Sequence, residues 1–210
     1  MVTNGIMFCT PAYGGQVFAP HMESCLTLCE DLTRSGVPFE WQIRWHESLV
    51  HRARMGMSKA FLDHDPQYSH MMWLDADLDF TPEDVVKLWN LDADIAVGVY
   101  RMKTDDSMFA AWIDGELVDD LDQFDGPIEV DYAGTGFMLI NRDVIEALSK
   151  KVAKYENEVP EIPALYQTPL RHGTLLSEDY FFCELARDNG FKVIMDPSVR
   201  LGHWGIKRYG

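Results

Sequence analysis

Apolar residues along the chain come in short blocks whose period alternates between that of a strand and that of a helix. Ile6 to Cys9 is a continuous apolar run ending in TPAYGG, which predicts a strand passing into a loop marked by Pro and Gly. From about Phe18 to Arg34, residues Met22, Cys25, Leu26, Cys29 and Leu32 recur at helical spacing, and Gly36 with Pro38 ends the segment. Phe39 to Trp45 is predicted as strand. Leu49 to Leu62 is predicted as a second helix, carrying Arg52 and Arg54, and Ser69 to Leu74 as a third strand. Thr81, Pro82 and Asp84 make a cap and first turn for a helix ending near Asn90, and Ile95 to Val99 is a fourth strand.

Strands alternating with helices imply an α/β fold, Rossmann-like, with a central mixed, mostly parallel sheet flanked by helices. In such folds ligands gather at the carboxyl ends of the strands. The second half is less regular. Short strands are expected around Met108 to Ile113, Ile128 to Tyr132 and Gly136 to Asn141, and helices over Arg142 to Lys154 and Ser177 to Asn189, the last stopped by Gly190. Lys192 to Met195 is strand-like and leads into a tail, LGHWGIKRYG. The polar, Pro-bearing stretch from Glu156 to Gly173 has no period, which suggests a functional lid. With 210 residues and no internal repeat, the chain is expected to be one domain, read in two halves, 1–100 and 101–210.

Hydrophobic residues at 47% and charged residues at 25% are ordinary for a soluble globular protein, and no apolar run approaches the length of a membrane span. The N-terminus has no secretory-signal pattern. A formal charge of −16 without a concentrated basic run disfavours nucleic acid as a partner, and means that any phosphate is handled locally, by a metal or a few placed cations. Cys9, Cys25, Cys29 and Cys183 form no C-x-x-C pair. They are read as reduced, mostly buried thiols of a cytoplasmic protein rather than a zinc site.

The most informative stretch is MMWLDADLDFTPEDV, residues 71–85, in which an apolar strand runs into Asp75, Asp77 and Asp79. If strand geometry continued, the three carboxylates would share one face and repel one another, so positive charge is expected there. An EF-hand loop is excluded, because its sixth and twelfth positions would be Phe80 and Val86 rather than Gly and Glu. What remains is a solvated strand end or a divalent-metal site. His203 in the tail adds an imidazole, and carboxylates with one imidazole suit Mn²⁺ or Mg²⁺. GTGF, residues 134–137, is a bulge or a point where a ligand approaches the backbone of Gly134 closely. SEDYFF, residues 177–182, puts Glu178 and Asp179 in the first turn of a helix, either to complement its dipole or to aim a carboxylate into a cleft.

WLDAD after a strand, the upstream RAR helix, VGVYRMK, GTGFMLINRDV, LSEDYFFCELARDNGFKV and a late His together resemble the GT-A nucleotide-sugar-dependent glycosyltransferases over nearly the whole chain. More narrowly, they resemble the N-terminal glycosyltransferase domain of a chlorovirus-encoded multidomain protein. That resemblance implies further domains C-terminal to this one, a host-cytoplasmic location and a role in glycan synthesis on a viral glycoprotein. It implies that Thr10, Pro11, Ala12 and Tyr13 hold the nucleotide base, with Arg52 or Arg54 nearby. Asp75 would face the ribose or the metal, and Asp77 would bind the metal that bridges the diphosphate. Asp79 leaves open which pair of aspartates is used. His203 would complete the metal site and Lys207 would bind the diphosphate.

The implied activity is transfer of a sugar from a UDP-sugar donor to a carbohydrate acceptor with Mn²⁺ or Mg²⁺. Glu178 and Asp179 are the expected catalytic carboxylates, and retention of configuration is expected. The alternatives are a sugar-nucleotidyltransferase, whose Gly-rich basic loop TPAYGGQ does not match, and a non-catalytic sugar- or calcium-binding module.

Overall fold

The computed structural model describes residues 4–104, 108–157, 159–171 and 173–209. Strand β1 (Gly5–Ala12), helix α1 (Ala19–Ser35), β2 (Phe39–Trp45), α2 (Val50–Asp63) and β3 (Tyr68–Leu74) follow the expected βαβαβ order. A two-residue strand β4 (Leu78–Asp79), α3 (Pro82–Asn90) and β5 (Ile95–Tyr100) come next. The second half adds the strand Phe137–Asn141, α4 (Arg142–Ser149), α5 (Glu178–Asp188), the twelve-residue strand Val193–Trp204 and its hairpin partner Arg208–Tyr209.

Across the central sheet the order is Arg208–Tyr209, Val193–Trp204, β5, Phe137–Asn141, β3, β1, β2, so strands of both sequence halves share it. β1 runs parallel to β2 and β3, and Val193–Trp204 runs parallel to β5. Phe137–Asn141 is antiparallel to both its neighbours, so the sheet is mixed. Strands covered on both faces need apolar side chains at every position, hence the near-continuous runs IMFC, MMWL and IAV. Alternation within each run feeds two cores. Met7, Cys9, Met71, Trp73 and Val97 pack with α2, α4 and α5, while Ile6, Phe8, Met72, Leu74 and Ala96 pack with α1 and α3.

The exposed face of α1 differs from the one its periodicity suggests. Met22 and Leu26 are 45% and 60% exposed, whereas His21 and Ser24 are buried. His21 Nδ1 donates to the Leu78 carbonyl at 3.0 Å, and Ser24 Oγ accepts from the Phe80 N–H at 3.0 Å. Each backbone group left buried without a partner costs about 1–3 kcal/mol, so the helix is turned by what β4 and its neighbours need.

The stretch expected to be a functional lid is anchored near its middle. Leu165 and Tyr166 are fully buried, the Tyr166 hydroxyl accepts from Trp73 Nε1 at 2.9 Å, and its ring stacks on Phe182 at 4.7 Å. Two small hairpins flank this anchor, Lys154–Tyr155 with Ile162–Pro163 and Leu170–Arg171 with Thr174–Leu175. Helix α4 stops at Ser149 rather than continuing to Lys154, which instead pairs with Pro163 in the first hairpin. Two further expectations are corrected: β1 continues through Thr10, Pro11 and Ala12, and the last predicted strand runs on to Trp204, absorbing much of the supposed tail. No helix among the described residues is long and apolar enough to cross a membrane.

Candidate active site

The aspartates do not continue β3. The strand ends at Leu74 and the chain turns, with the Leu78 N–H donating to the Asp75 carbonyl at 3.1 Å. The next two carbonyls are also held: Ala76 accepts from the Phe18 N–H at 2.9 Å and Asp77 from the Trp204 N–H at 2.7 Å. The Asp75 N–H donates to the Gly136 carbonyl at 2.8 Å. Four separate parts of the chain thus hold a three-residue segment at the carboxyl edge of the sheet, the side where α/β folds bind ligands.

Because the backbone turns, the three carboxylates diverge and each has its own cation. Both oxygens of Asp75 accept from Arg54 Nη2, at 2.9 and 3.0 Å. Asp77 pairs with Lys103. Asp79, in β4 opposite Gly202, pairs with Arg208 at 3.1 Å. The positive charge expected from the sequence is present, but distributed over three sites. The Asp79 carboxylate packs against Gly202, where a Cβ would lie 2.0 Å from Oδ1, so only glycine leaves room for it there.

Arg54 is buried at 3% exposure, with its guanidinium 5.0 Å above the Trp73 ring and its Nε 3.6 Å from Glu178. Burial disfavours its charge, yet Asp75 and Glu178 more than offset this and keep it firmly protonated. Tyr100, also buried, accepts from the Gly136 N–H at 3.0 Å. A Cβ on Gly134 would lie 2.2 Å from that hydroxyl, so a protein side chain fills the room this glycine leaves. Asp179 accepts from the Ser177 hydroxyl and from the Tyr180 N–H. Burial, and then repulsion by Glu178, push its carboxyl above the usual range despite these bonds. Arg54 therefore gathers Asp75 and Glu178 into one cluster, with Asp179 beside them.

His203 sits on the long C-terminal strand, opposite β4. Its Nδ1 donates to the Arg101 carbonyl at 2.8 Å, which fixes the tautomer and leaves Nε2 facing Asp77 Oδ1 at 3.6 Å. That distance is too long for a hydrogen bond. Burial raises the Asp77 carboxyl, but His203 and Lys103 outweigh it and hold the group below the ordinary carboxylate range. When His203 is neutral, its Nε2 lone pair and the Asp77 carboxylate face each other across a gap that suits a shared cation. Among the described residues no three His, Cys, Asp or Glu side chains converge on a metal position. The donor set nevertheless fits Mg²⁺ or Mn²⁺, which take one or two protein ligands and complete their shell with water and substrate phosphates. Asp75 and Asp79, both committed to arginines, are not gathered with Asp77 and His203.

The other predicted residues are spread along the same edge. Thr10 is buried and its hydroxyl accepts from Trp41 Nε1 at 3.0 Å, while Pro11 and Ala12 are strand residues in register with Arg44 and Trp45. Tyr13, just past β1, and Trp45, the last residue of β2, are 69% and 59% exposed. Beside them Ile43, Arg44, Trp45, His46, Glu47, Arg52 and Asn157 line a cavity of about 480 Å³. Arg52 and Arg54, two positions apart, fall on opposite sides of α2. Arg52 binds Glu47 through Nε at 2.6 Å and Nη2 at 2.7 Å, and these bonds hold Glu47 below the usual carboxylate range. Lys207 lies in the final hairpin, its Nζ 4.9 Å above the Tyr209 ring. Lys103 and Tyr100 were not anticipated. Both follow from β5, since any residue at the carboxyl end of a parallel strand is a candidate.

A mixed sheet with helices on both faces matches the fold of solved GT-A glycosyltransferases. The chain superposes on A197 from STIV with a TM-score of 0.60 at 19% identity, over 96% of this chain and 86% of that one. It superposes on the catalytic domain of Drosophila β1,4-galactosyltransferase 7 in complex with xylobiose with a TM-score of 0.55 at 13% identity, over 96% and 71% of the two chains. With GalNAc-T7 bound to UDP, GalNAc and Mn²⁺ the TM-score is 0.57 at 11% identity, over 96% of this chain but 44% of that one. No protein-family model and no curated protein matches the sequence. The likeness is one of fold.

Proposed function

We propose that the chain is a divalent-metal-dependent glycosyltransferase that moves a sugar from a UDP-sugar to a carbohydrate acceptor. The observation that carries this reading is the pairing of Asp77 with His203, whose Nδ1 is committed to the Arg101 carbonyl, on a backbone turn fixed from four sides. Asp77 and His203 are the residues that would hold Mn²⁺ or Mg²⁺, with water and diphosphate completing the shell. Once bound, the ion supplies electrostatic stabilisation to the departing diphosphate.

The remaining roles belong to this chain's own side chains. Tyr13 and Trp45 offer exposed rings for the base, and Arg52 lies in the neighbouring cavity. Asp75, kept in one orientation by Arg54, accepts hydrogen bonds from the ribose or the donor sugar. Lys207 serves the diphosphate. Glu178 and Asp179 orient donor and acceptor. A retaining reaction needs no protein base if the departing diphosphate itself takes the acceptor proton, and retention is the outcome proposed.

The test is calorimetry of UDP with Mn²⁺ and after chelation, together with a panel of nucleotide sugars assayed for release of nucleoside diphosphate. UDP affinity is expected to depend on the metal. Asp77→Asn and His203→Ala should each weaken Mn²⁺ binding by at least the 10–100-fold typical of losing a mere outer-shell partner, about tenfold as a floor. Equal UDP affinity after chelation, or wild-type turnover of both variants at limiting Mn²⁺, would sink the proposal. Pyrophosphate release from a nucleoside triphosphate would indicate a nucleotidyltransferase instead. NMR of the product from a donor of known anomeric configuration decides between retention and inversion.

A further inference from the structure

The three cations that neutralise residues 75–79 are not equivalent. Arg54 is buried, makes two hydrogen bonds to Asp75 and also faces Glu178, so it is fixed. Arg208 sits on Asp79, whose carboxylate packs against Gly202. Lys103 differs from both. Its ammonium rests on Oδ2 of Asp77, the one aspartate whose other oxygen faces His203, and both side chains keep about a third of their surface in solvent, 33% and 28%. Its stem runs beside Gly205 in the final hairpin, where a Cβ would lie 3.3 Å from Lys103 Cδ.

A flexible ammonium on that carboxylate has two chemical consequences. It neutralises the very group a divalent ion would use, and like charges so close repel, so a bare dication competes with it at a disadvantage. The same ammonium is a mobile point charge with three donors, suited to the oxygens of a nucleoside diphosphate once these arrive beside Asp77.

We infer that Lys103 is an exchangeable counter-charge: it holds Asp77 in the nucleotide-free protein, disfavours uptake of a divalent ion alone, and moves to the diphosphate oxygens when metal and nucleotide bind together. The inference rests on the metal-dependent reading proposed above. It makes Lys103 a positioning residue that couples metal binding to nucleotide binding. Such coupling is reciprocal, because whatever makes nucleotide favour the metal makes the metal favour nucleotide by the same factor.

Calorimetry on the intact chain tests it, with Mn²⁺ alone and then with UDP at saturating Mn²⁺, for the wild type, Lys103→Met and Lys103→Arg. Without nucleotide, Lys103→Met is expected to bind Mn²⁺ about fivefold more tightly than the wild type, the scale of one partly exposed ion pair. With Mn²⁺ saturating, it should bind UDP about fivefold more weakly, for the same reason. Lys103→Arg, which keeps the charge, should stay on the wild-type side of both changes. A variant that merely disturbed the site would bind both ligands more weakly, so the opposite signs distinguish exchange from damage. Unchanged or weaker Mn²⁺ binding by nucleotide-free Lys103→Met, while the wild type binds Mn²⁺ with UDP normally, overturns this inference alone. Failure of the wild type to take up Mn²⁺ even with UDP overturns it together with the proposed function.

Discussion

Tyr100 and Gly134 offer a quantitative test of how the aspartate turn is held. A methyl group on Gly134 would sit 2.2 Å from the Tyr100 hydroxyl, 3.0 Å from Cζ and 3.2 Å from Ala110 Cβ, all tighter than ordinary contact. Gly134 is not among the glycines with positive φ, so the clash, and not the backbone, is what forbids a side chain. Gly134→Ala is an overpacking substitution and should cost about 1–3 kcal/mol. Tyr100→Phe removes the hydroxyl that accepts from the Gly136 N–H, leaving that buried donor without a partner at a cost of about 1–3 kcal/mol. In the double variant the methyl group meets no oxygen, although Cζ and Ala110 remain close. The two costs should therefore fall short of adding by about 1 kcal/mol or more, as expected for groups in direct contact. Urea denaturation of the four proteins, comparing midpoints at constant m, measures the coupling. Additivity within about 0.3–0.5 kcal/mol would mean that the hydroxyl and Gly134 do not meet, and would refute the account of why this glycine is required.

Two further outcomes follow from buried groups. Asp179 is pushed up by burial and by Glu178, so its ionised form is disfavoured in the folded protein. That cost is present above its folded pKa and absent once both states are protonated. Asp179→Asn should thus be more stable than the wild type near neutral pH, with the gap closing as the pH falls to about 3, below the ordinary Asp value. A gap of the same size at both pH values in urea titrations would show that ionisation is not its cause. Tyr166→Phe leaves Trp73 Nε1 buried without an acceptor and should destabilise the fold by about 1–3 kcal/mol. A change within about 0.5 kcal/mol, the range of inconsequential surface substitutions, would show that this segment is not anchored through the core.

Much of the scaffold was legible because a sheet buried on both faces writes itself as apolar runs, and IMFC, MMWL and IAV are such runs. The Asp-x-Asp turn was legible for the same reason, as acid following directly on core. The face of α1 was not, since burial of His21 and Ser24 is set by two backbone groups more than fifty residues away in sequence. Nor was the anchoring of residues 156–173. Tyr166 occurs among prolines and polar residues, and only its contact with Trp73 and Phe182 reveals a core position. At the site, Asp77 and His203 could be paired by residue type, whereas the commitment of Asp75 to Arg54 and of Asp79 to Arg208 depends on where the chain turns. Lys103 escaped notice because one lysine after a strand has no signature until its neighbours are known.

The three consecutive carbonyls of Asp75, Ala76 and Asp77 answer to Leu78, Phe18 and Trp204, which lie close by, far upstream and far downstream in sequence. During synthesis from the N-terminus, the first two partners are available soon after the third strand is made, but the last exists only once Trp204, more than a hundred residues further on, has been added. Contacts of such long sequence separation form late, after the loop-closure entropy between them has been overcome. A chain made only as far as β3 cannot finish the turn or bring His203 to Asp77. The turn and the approach of His203 to Asp77 therefore both depend on the strand Val193–Trp204, and neither exists in a chain that stops short of it.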